Sequence, residues 1–421
     1  MRKTLLLGLV VIVLLTGACA ASRAQPPSSQ TPVPSQSLPY IIPDQTVPPG
    51  SSREPLPEPI VTGNSVELCL NSRYSEHSLT GTANNQQMAN ILWAAGKAPV
   101  TGTYRNIYVA TPTMEYSYDP GTHSLSPHSA QSVTDYKNYF SRLADSSAFV
   151  INCDSNLAFD TGVAYQLATL ASVSLGKSSE SAVASCPVMT SLKFGVQEVR
   201  GLTSELVAHS SMPKGDPGWL PDPATNGQNK LEEVLANLKY VNKFSLGNLT
   251  PEQISQLLWA GYGCTPHVVS GGRQGLTVPS AMAKYYLTGT IYLINEKGVY
   301  RYQNRNPRTD LRTMDHRIET INAADIRDKL RATVSSLPQA PCYIVVCLPK
   351  IGALITQERD FALEEVGFVA GNMLLQASAI GLGCHFETNL TSDEQVGIRG
   401  LTGIPFSDTP QVIISIGDVA E

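Results

Sequence analysis

The sequence predicts an α+β fold made of two tandem copies of one unit, and three observations carry that reading. The first is a helix ending that occurs twice. Ile91-Leu92-Trp93-Ala94-Ala95-Gly96 follows Asn84-Asn85-Gln86-Gln87-Met88, and Leu257-Leu258-Trp259-Ala260-Gly261 follows Thr250-Pro251-Glu252-Gln253-Ile254. The second is a series of further pairs in the same order. Tyr116-Ser117-Tyr118 matches Tyr300-Arg301-Tyr302, the apolar run from Gly162 to Leu175-Gly176 matches that from Gly367 to Ile380-Gly381, and Val199-Arg200-Gly201-Leu202-Thr203 matches Ile398-Arg399-Gly400-Leu401-Thr402. Self-similarity kept in order over such a span marks an internal duplication. The third is that strand and helix patterns mix without strict alternation, which argues against a doubly wound sheet.

In chain order, residues 1–19 read as a targeting segment: Arg2 and Lys3, the apolar run Leu5 to Leu15, then Thr16-Gly17-Ala18-Cys19. The run is short for a membrane span and ends in small residues, so an export signal is expected. Small residues ending at a cysteine resemble the lipobox of exported lipoproteins, although Thr16 stands where leucine is usual; a plain signal or an uncleaved anchor is the alternative. Cys19 is the expected lipidation point, with the folded part outside the cytoplasm and anchored to the membrane. Residues 20–60 are rich in Pro, Ser and Gln without an apolar period, the composition of a tether.

The first copy is expected over 61–216. It has a helix around Ser65 to Leu70, the Trp93 helix, strands near Tyr104 to Thr111 and Ala148 to Cys153, and a long apolar helix from Asp160 to Leu175. Residues 217–229 are a linker by their Pro, Gly and Asp content. The second copy, 230–421, has a helix to Leu238 and then the Trp259 helix, which starts behind Thr250-Pro251 with proline at the first helical position. Strands are expected at Thr290 to Ile294, Cys342 to Leu348 and Gln411 to Ile416, a buried helix at Phe361 to Ile380, and a polar surface excursion between Asn304 and Asp325. From Trp to Tyr-x-Tyr this copy is longer by about 18 residues (41 against 23), and the excess holds GGRQGLTVPSAMAKYY. Gly271, Gly272 and Gly275 in that stretch allow close backbone approach. The two copies are built alike but are not equipped alike.

With 421 residues, 42% of them hydrophobic, the chain suffices for two ordinary domains, each with its own core. A net charge of −5 argues against nucleic acid or an anionic membrane surface as a general partner. Of eight cysteines, Cys19 belongs to the signal, and no Cys-x-x-Cys or His-Cys spacing suggests a metal site. Cys342 and Cys347 sit five apart on one strand and face opposite sides, so buried free thiols are expected rather than a pair. Trp93 and Trp259 read as core, and Tyr300 and Tyr302, on one face of a strand, as packing. Asp160, His209 and Glu364-Glu365 lack the partner spacing of a hydrolytic site, and no Gly-x-Ser-x-Gly elbow is present.

The ordered set Arg73-x-Ser75-x-His77, a helix ending in Leu-Trp-Ala, Pro279-Ser280-Ala281-x-Ala283-Lys284-Tyr285, Val299-Tyr300-Arg301-Tyr302 and Gly381-Leu382-Gly383 resembles the nitroreductase superfamily. Within it the set is most similar to the azoline-oxidising dehydrogenases that act on modified peptides. The resemblance implies an FMN-binding α+β fold that works as a dimer with flavin at the interface; here the duplication implies an intrachain pseudo-dimer. Arg73, Ser75 and His77 would hold the phosphate, with Lys214 as a further cation and Pro279, Ser280 and Ala281 completing the site from the other half. Lys284 and Tyr285 match the branch's proton-transfer pair, a partly desolvated lysine being able to act as a base. In the opposite site Lys239-x-Val241-x-Lys243 loses the hydroxyl, and Lys97-Ala98-Pro99-Val100-Thr101 stands where the Pro-Ser-Ala loop should be. One competent FMN site is therefore expected, although Cys384 to Thr388, the better match to a flavin-ring contact, belongs to the other one. The implied activity is an oxidoreductase acting on a small molecule or peptide. A non-catalytic tethered binding protein is the alternative.

Overall fold

The computed structural model describes residues 53–75, 83–111, 115–128, 149–176, 182–188, 191–197, 201–208, 218–269, 272–304, 314–349 and 354–420. The signal, residues 20–52 of the tether, His77, His209, Lys214 and Gly271 lie outside them. All the described residues belong to one unit, Pro39–Glu421.

The first half contains β1 (Glu54–Pro55), α1 (Val66–Ser72), α2 (Asn85–Gly96), β2 (Arg105–Ala110), β3 (Glu115–Asp119), β4 (Ser124–Pro127), β5 (Phe149–Ser155), α3 (Ala158–Leu175), β6 (Ala182–Val188) and β7 (Ser191–Gln197). The second contains α4 (Leu231–Ala236), α5 (Pro251–Tyr262), β8 (Cys264–Val269), β9 (Arg273–Leu276), β10 (Ile291–Asn295), β11 (Gly298–Gln303), β12 (Arg317–Asn322), α6 (Arg327–Thr333), β13 (Cys342–Pro349), α7 (Thr356–Ala379), β14 (Leu382–Glu387), α8 (Ser392–Thr402) and β15 (Asp408–Asp418). The Trp helices α2 and α5 start alike. Asn84 and Thr250 each accept from the amide three residues on, and Gln87 and Gln253 each return a bond to the cap amide, satisfying amides that a helix start leaves unpaired.

Two antiparallel sheets result, ordered β1-β4-β3-β2-β5-β7-β6 and β12-β11-β10-β13-β15-β14. With β1 set aside, and the β8–β9 hairpin left out of the second half, the two orders coincide strand for strand. The Asn304 to Asp325 expectation is corrected. Arg317–Asn322 is an edge strand paired with β11, and Asn304, Met314, Asp315 and His316 are buried. An edge strand with solvent on one side reads as polar loop by composition.

Helices α3 and α7 cross between the sheets, and both are buried nearly all round. Their approach is set by glycine. A Cβ at Gly162 would lie 2.1 Å from the Glu364 carbonyl oxygen, and one at Gly367 would lie 2.2 Å from that of Phe159. These contacts are reciprocal, since Gly162 and Gly367 each meet the residue that stands three before the other, Glu364 and Phe159. Self-complementary pairing of this kind is the signature of a two-fold relation. One apolar core runs through both halves, from Val66 and Leu70 past Leu167 and Val369 to Ile414. The outer face of the second sheet packs separately on α6 and α8 through Leu330, Val334 and Ile398. Cys342 lies in the first core and Cys347 in the second, on opposite faces of β13 as expected. Six described cysteines are buried and free.

Gly400, inside α8, has open space where a Cβ would stand. Gly400→Ala is expected to raise the unfolding free energy by about 0.5–1 kcal/mol, measured by urea denaturation, since glycine costs that much in a helix interior.

Candidate functional site

The site is built outward from the end of α5. Gly263 caps that helix because the Trp259 indole leaves no room, a Cβ there falling 2.2 Å from Trp259 Cδ1. The indole N–H donates to the Cys264 carbonyl at 3.1 Å and ties the helix end to the β8–β9 hairpin. Gly275 on the hairpin has a similar cause, since a Cβ would lie 2.0 Å from His267 Nε2. The glycine therefore admits an imidazole. His267 Nδ1 lies 2.6 Å from Thr265 Oγ1, and Nε2 lies 3.3 Å from Arg73 Nη2. Because a guanidinium only donates, Nε2 is the acceptor and the ring proton sits on Nδ1, donated to Thr265.

Arg73 follows α1 in the first half, yet its head group lies against the second. Nη2 donates to the Leu276 carbonyl at 2.8 Å, and Nη1 makes a long 3.5 Å contact to Ser75 Oγ. The residue is 1% exposed, Nε has no hydrogen-bond partner, and no carboxylate among the described residues pairs with it. Burial pushes its pKa down to about 10, partly offset by the nearby Tyr285 phenol, so it remains charged at neutral pH. A buried cation without an acid is costly and calls for an anion.

The segment from Pro279 to Leu287 passes beside this group. Ser280 Oγ accepts from the Tyr285 amide at 2.7 Å, and Arg273 donates to the Ala283 carbonyl at 2.6 Å. Met282, Ala283 and Tyr285 all have φ near +52°, a region non-glycine residues rarely occupy and one that collects at functional sites. Tyr285 is 5% exposed and packs edge-on to Tyr262. The expectation of a partly desolvated Lys284 is corrected. Its ammonium is solvent-accessible and paired with Glu358, which raises its pKa, so it does not stand ready as a base. Arg73, Ser75, Ser280 and Tyr285 thus come together from the two halves, with Pro279 and Ala281 flanking Ser280.

The opposite place is differently filled. Lys239 donates to the Gly381 carbonyl at 2.9 Å, and the backbone at Tyr240 runs parallel to Cys384 of β14. The Tyr240 ring stacks on His385 and leans on Phe386, which meets Phe159 edge-on. Thr388 reaches Thr101 of the first-half loop at 3.1 Å. A cleft of about 720 Å³ adjoins Lys239, lined by Glu67, Glu233, Asn237 and Gly381 among others.

Sequence reasoning weighed Glu364 and Glu365 only as hydrolytic acids and missed what their burial does. Glu365 is fully buried and accepts from the Tyr262 phenol at 2.5 Å and the Leu287 amide at 3.3 Å. Burial pushes its carboxyl up to about 7, against the pull of Ser280 and Tyr262, and pushes neighbouring Glu364 up to about 8 with help from Asp360. Between about pH 4.5 and 8 the native state therefore binds more protons than the unfolded chain, so unfolding free energy is expected to fall as pH rises through that window. Urea denaturation from pH 5 to 8 checks this, and Glu364→Gln is expected to flatten the slope.

The comparisons agree with this architecture. The Nitroreductase family model matches residues 241–418. Over 166 residues the chain is 30% identical to a Methanocaldococcus jannaschii protein provisionally named a nitroreductase, covering 37% of this chain and 76% of that protein. A crystal structure from Anabaena variabilis, also provisionally described as a nitroreductase, superimposes with a TM-score of 0.55 at 11% identity, covering 89% of this chain and 96% of that one. That likeness speaks for the fold alone. An FMN-dependent nitroreductase from Clostridium difficile matches 44% of this chain and 84% of its own at 18% identity, with a TM-score of 0.28, too low to carry weight. On the family match and the relative that is 30% identical over 76% of its own length, the chain belongs to the nitroreductase family.

Proposed function

We propose that the chain is an FMN-dependent oxidoreductase with one flavin site, composed across two duplicated nitroreductase-like domains that form a pseudo-dimer within the chain. The observation that carries this reading is Arg73, a buried guanidinium from the first half, facing the second-half hairpin with an unpartnered N–H and, among the described residues, no acid paired with it. A phosphate supplies the missing anion, and a guanidinium fork suits its oxygens. Arg73 and Ser75 would hold that phosphate, together with His77 and Lys214, while Pro279, Ser280 and Ala281 would bound the ring. Bound FMN would supply two-electron redox chemistry. The chain's own part is to bind, to exclude water with the buried Tyr262 and Tyr285 rings, and to hold a proton at Tyr285. The matched coincidence of strand orders and the reciprocal Gly162 and Gly367 contacts support the duplication. The aromatic packing of Tyr240, His385 and Phe386 and the engagement of Lys239 by the Gly381 carbonyl support an asymmetry between the two places, with an open cleft left on the Lys239 side.

The proposed setting is extracytoplasmic, with the 20–60 tether leading from a lipid on Cys19. The Pro279 to Tyr285 segment favours a substrate of the azoline or small-peptide kind, although Lys284 itself is held by Glu358. A second reading, a non-catalytic tethered binding protein, is favoured by that same ion pair, which leaves Lys284 without a depressed pKa. Purified protein beginning near Gly50 decides between them. A yellow protein with flavin absorbance supports the enzyme, whereas a colourless one that ignores added FMN supports the binding protein.

A further inference from the structure

Asp160 and Glu365 occupy the same position in the matched helices α3 and α7, each two residues before the crossing glycine. Asp160 is fully buried and holds the segment that follows the first Trp helix. It accepts from the Thr101 hydroxyl at 2.7 Å, the Thr101 amide at 3.1 Å and the Gly102 amide at 2.9 Å. Glu365 does the corresponding thing in the second half. Oε1 takes the Tyr262 phenol and the Leu287 amide, while the Ser280 hydroxyl also acts on the carboxyl. One difference separates them: Glu365 Oε2 is buried without a partner.

We propose that Glu365 is the positioning residue of the 279–287 loop, acting through Tyr262, Ser280 and Leu287 to hold Tyr285 against Arg73, as Asp160 holds the 97–103 segment of the other half. The anchoring stands on geometry alone; its bearing on a cofactor rests on the flavin reading. Three left-handed non-glycine residues in this loop need such an anchor, because a strained backbone persists only where its surroundings fix it. The titratable groups facing Glu365 are Tyr262 from α5 and Tyr286 from the loop, both pushed above the usual tyrosine range, with Lys284 and Glu358 reaching Tyr286. Neither tyrosine ionises near neutrality, so the pH response belongs to the carboxyl. A carboxyl buried by the closed loop and hydrated in the open one binds its proton more tightly when closed, so the loop is held best below about pH 7.

Hydrogen exchange on the full chain, without FMN, tests the anchor. Glu365→Ala is expected to lower protection of 280–287 by at least about tenfold and leave 97–103 unchanged, with Asp160→Ala giving the converse. Glu365→Gln, which mimics the protonated acid, is expected to keep protection within about threefold and to abolish its decline above pH 7; Tyr262→Phe is expected to lower it in part. Unchanged protection in Glu365→Ala, or equal losses in both loops, overturns the proposal. A parallel FMN titration separates the two claims. Loosened loops with no FMN binding by any variant leave the anchor standing and remove the flavin reading, whereas loosened loops with unchanged FMN affinity remove the positioning role.

Discussion

Arg73→Ala is expected to weaken FMN binding by about 100-fold or more, while Lys239→Ala changes it less than about threefold, both read by fluorescence titration. Charge-assisted hydrogen bonds to a phosphate are worth about 1.5–3 kcal/mol each, so losing the guanidinium costs about two decades of affinity. Lys239 is solvent-accessible and already occupied by the Gly381 carbonyl, so its loss removes nothing from the Arg73 site. The sign of the stability change sharpens the case. Arg73 is a buried charge with no acid partner among the described residues, so Arg73→Met is expected to leave the apo chain equally stable or more stable even as it abolishes FMN retention. A purely structural arginine would lose stability instead.

The second large effect lies at the helix crossing. Gly367→Val is expected to cost about 3 kcal/mol or more by urea denaturation, and Gly162→Val a similar amount, because overpacking a close contact costs about 1–3 kcal/mol and here the neighbour is backbone that cannot turn aside. A single Cβ at either position already falls within 2.2 Å of a carbonyl oxygen. The equality of the two losses matters as much as their size. Matched positions in a two-fold relation suffer alike, whereas an accidental contact would weight one of them.

How much of this was legible in the sequence depends on the kind of signal. The Trp helices were readable from both ends, since Asn84 and Thr250 cap them and apolar spacing carries them to glycine. The buried strand β13 was readable as an apolar run. Strand β12 was not, because Arg317–Asn322 is half exposed and polar, and nothing local separates such an edge from a loop. Of the glycines in the 271–275 stretch, Gly275 marks a close approach and the fold shows its guest to be His267, Gly272 has open space around it at a positive φ, and Gly271 lies outside the described residues. Asp160 and Glu364-Glu365 show no partner spacing of a hydrolytic site in the sequence. Burial makes Asp160 and Glu365 anchors, and the hint in the sequence is that the internal match places them alike, each two residues before a matched glycine. Lys284 shows the converse error: its motif suggested a desolvated base, but Glu358, distant in sequence, supplies a counter-charge no local pattern reveals.

A single composite site fixes the stoichiometry of bound FMN. Flavin absorbance against protein concentration after saturation and desalting is expected to give one FMN per chain. Two per chain would contradict the asymmetry between the Arg73 and Lys239 sides, and none would contradict the site itself.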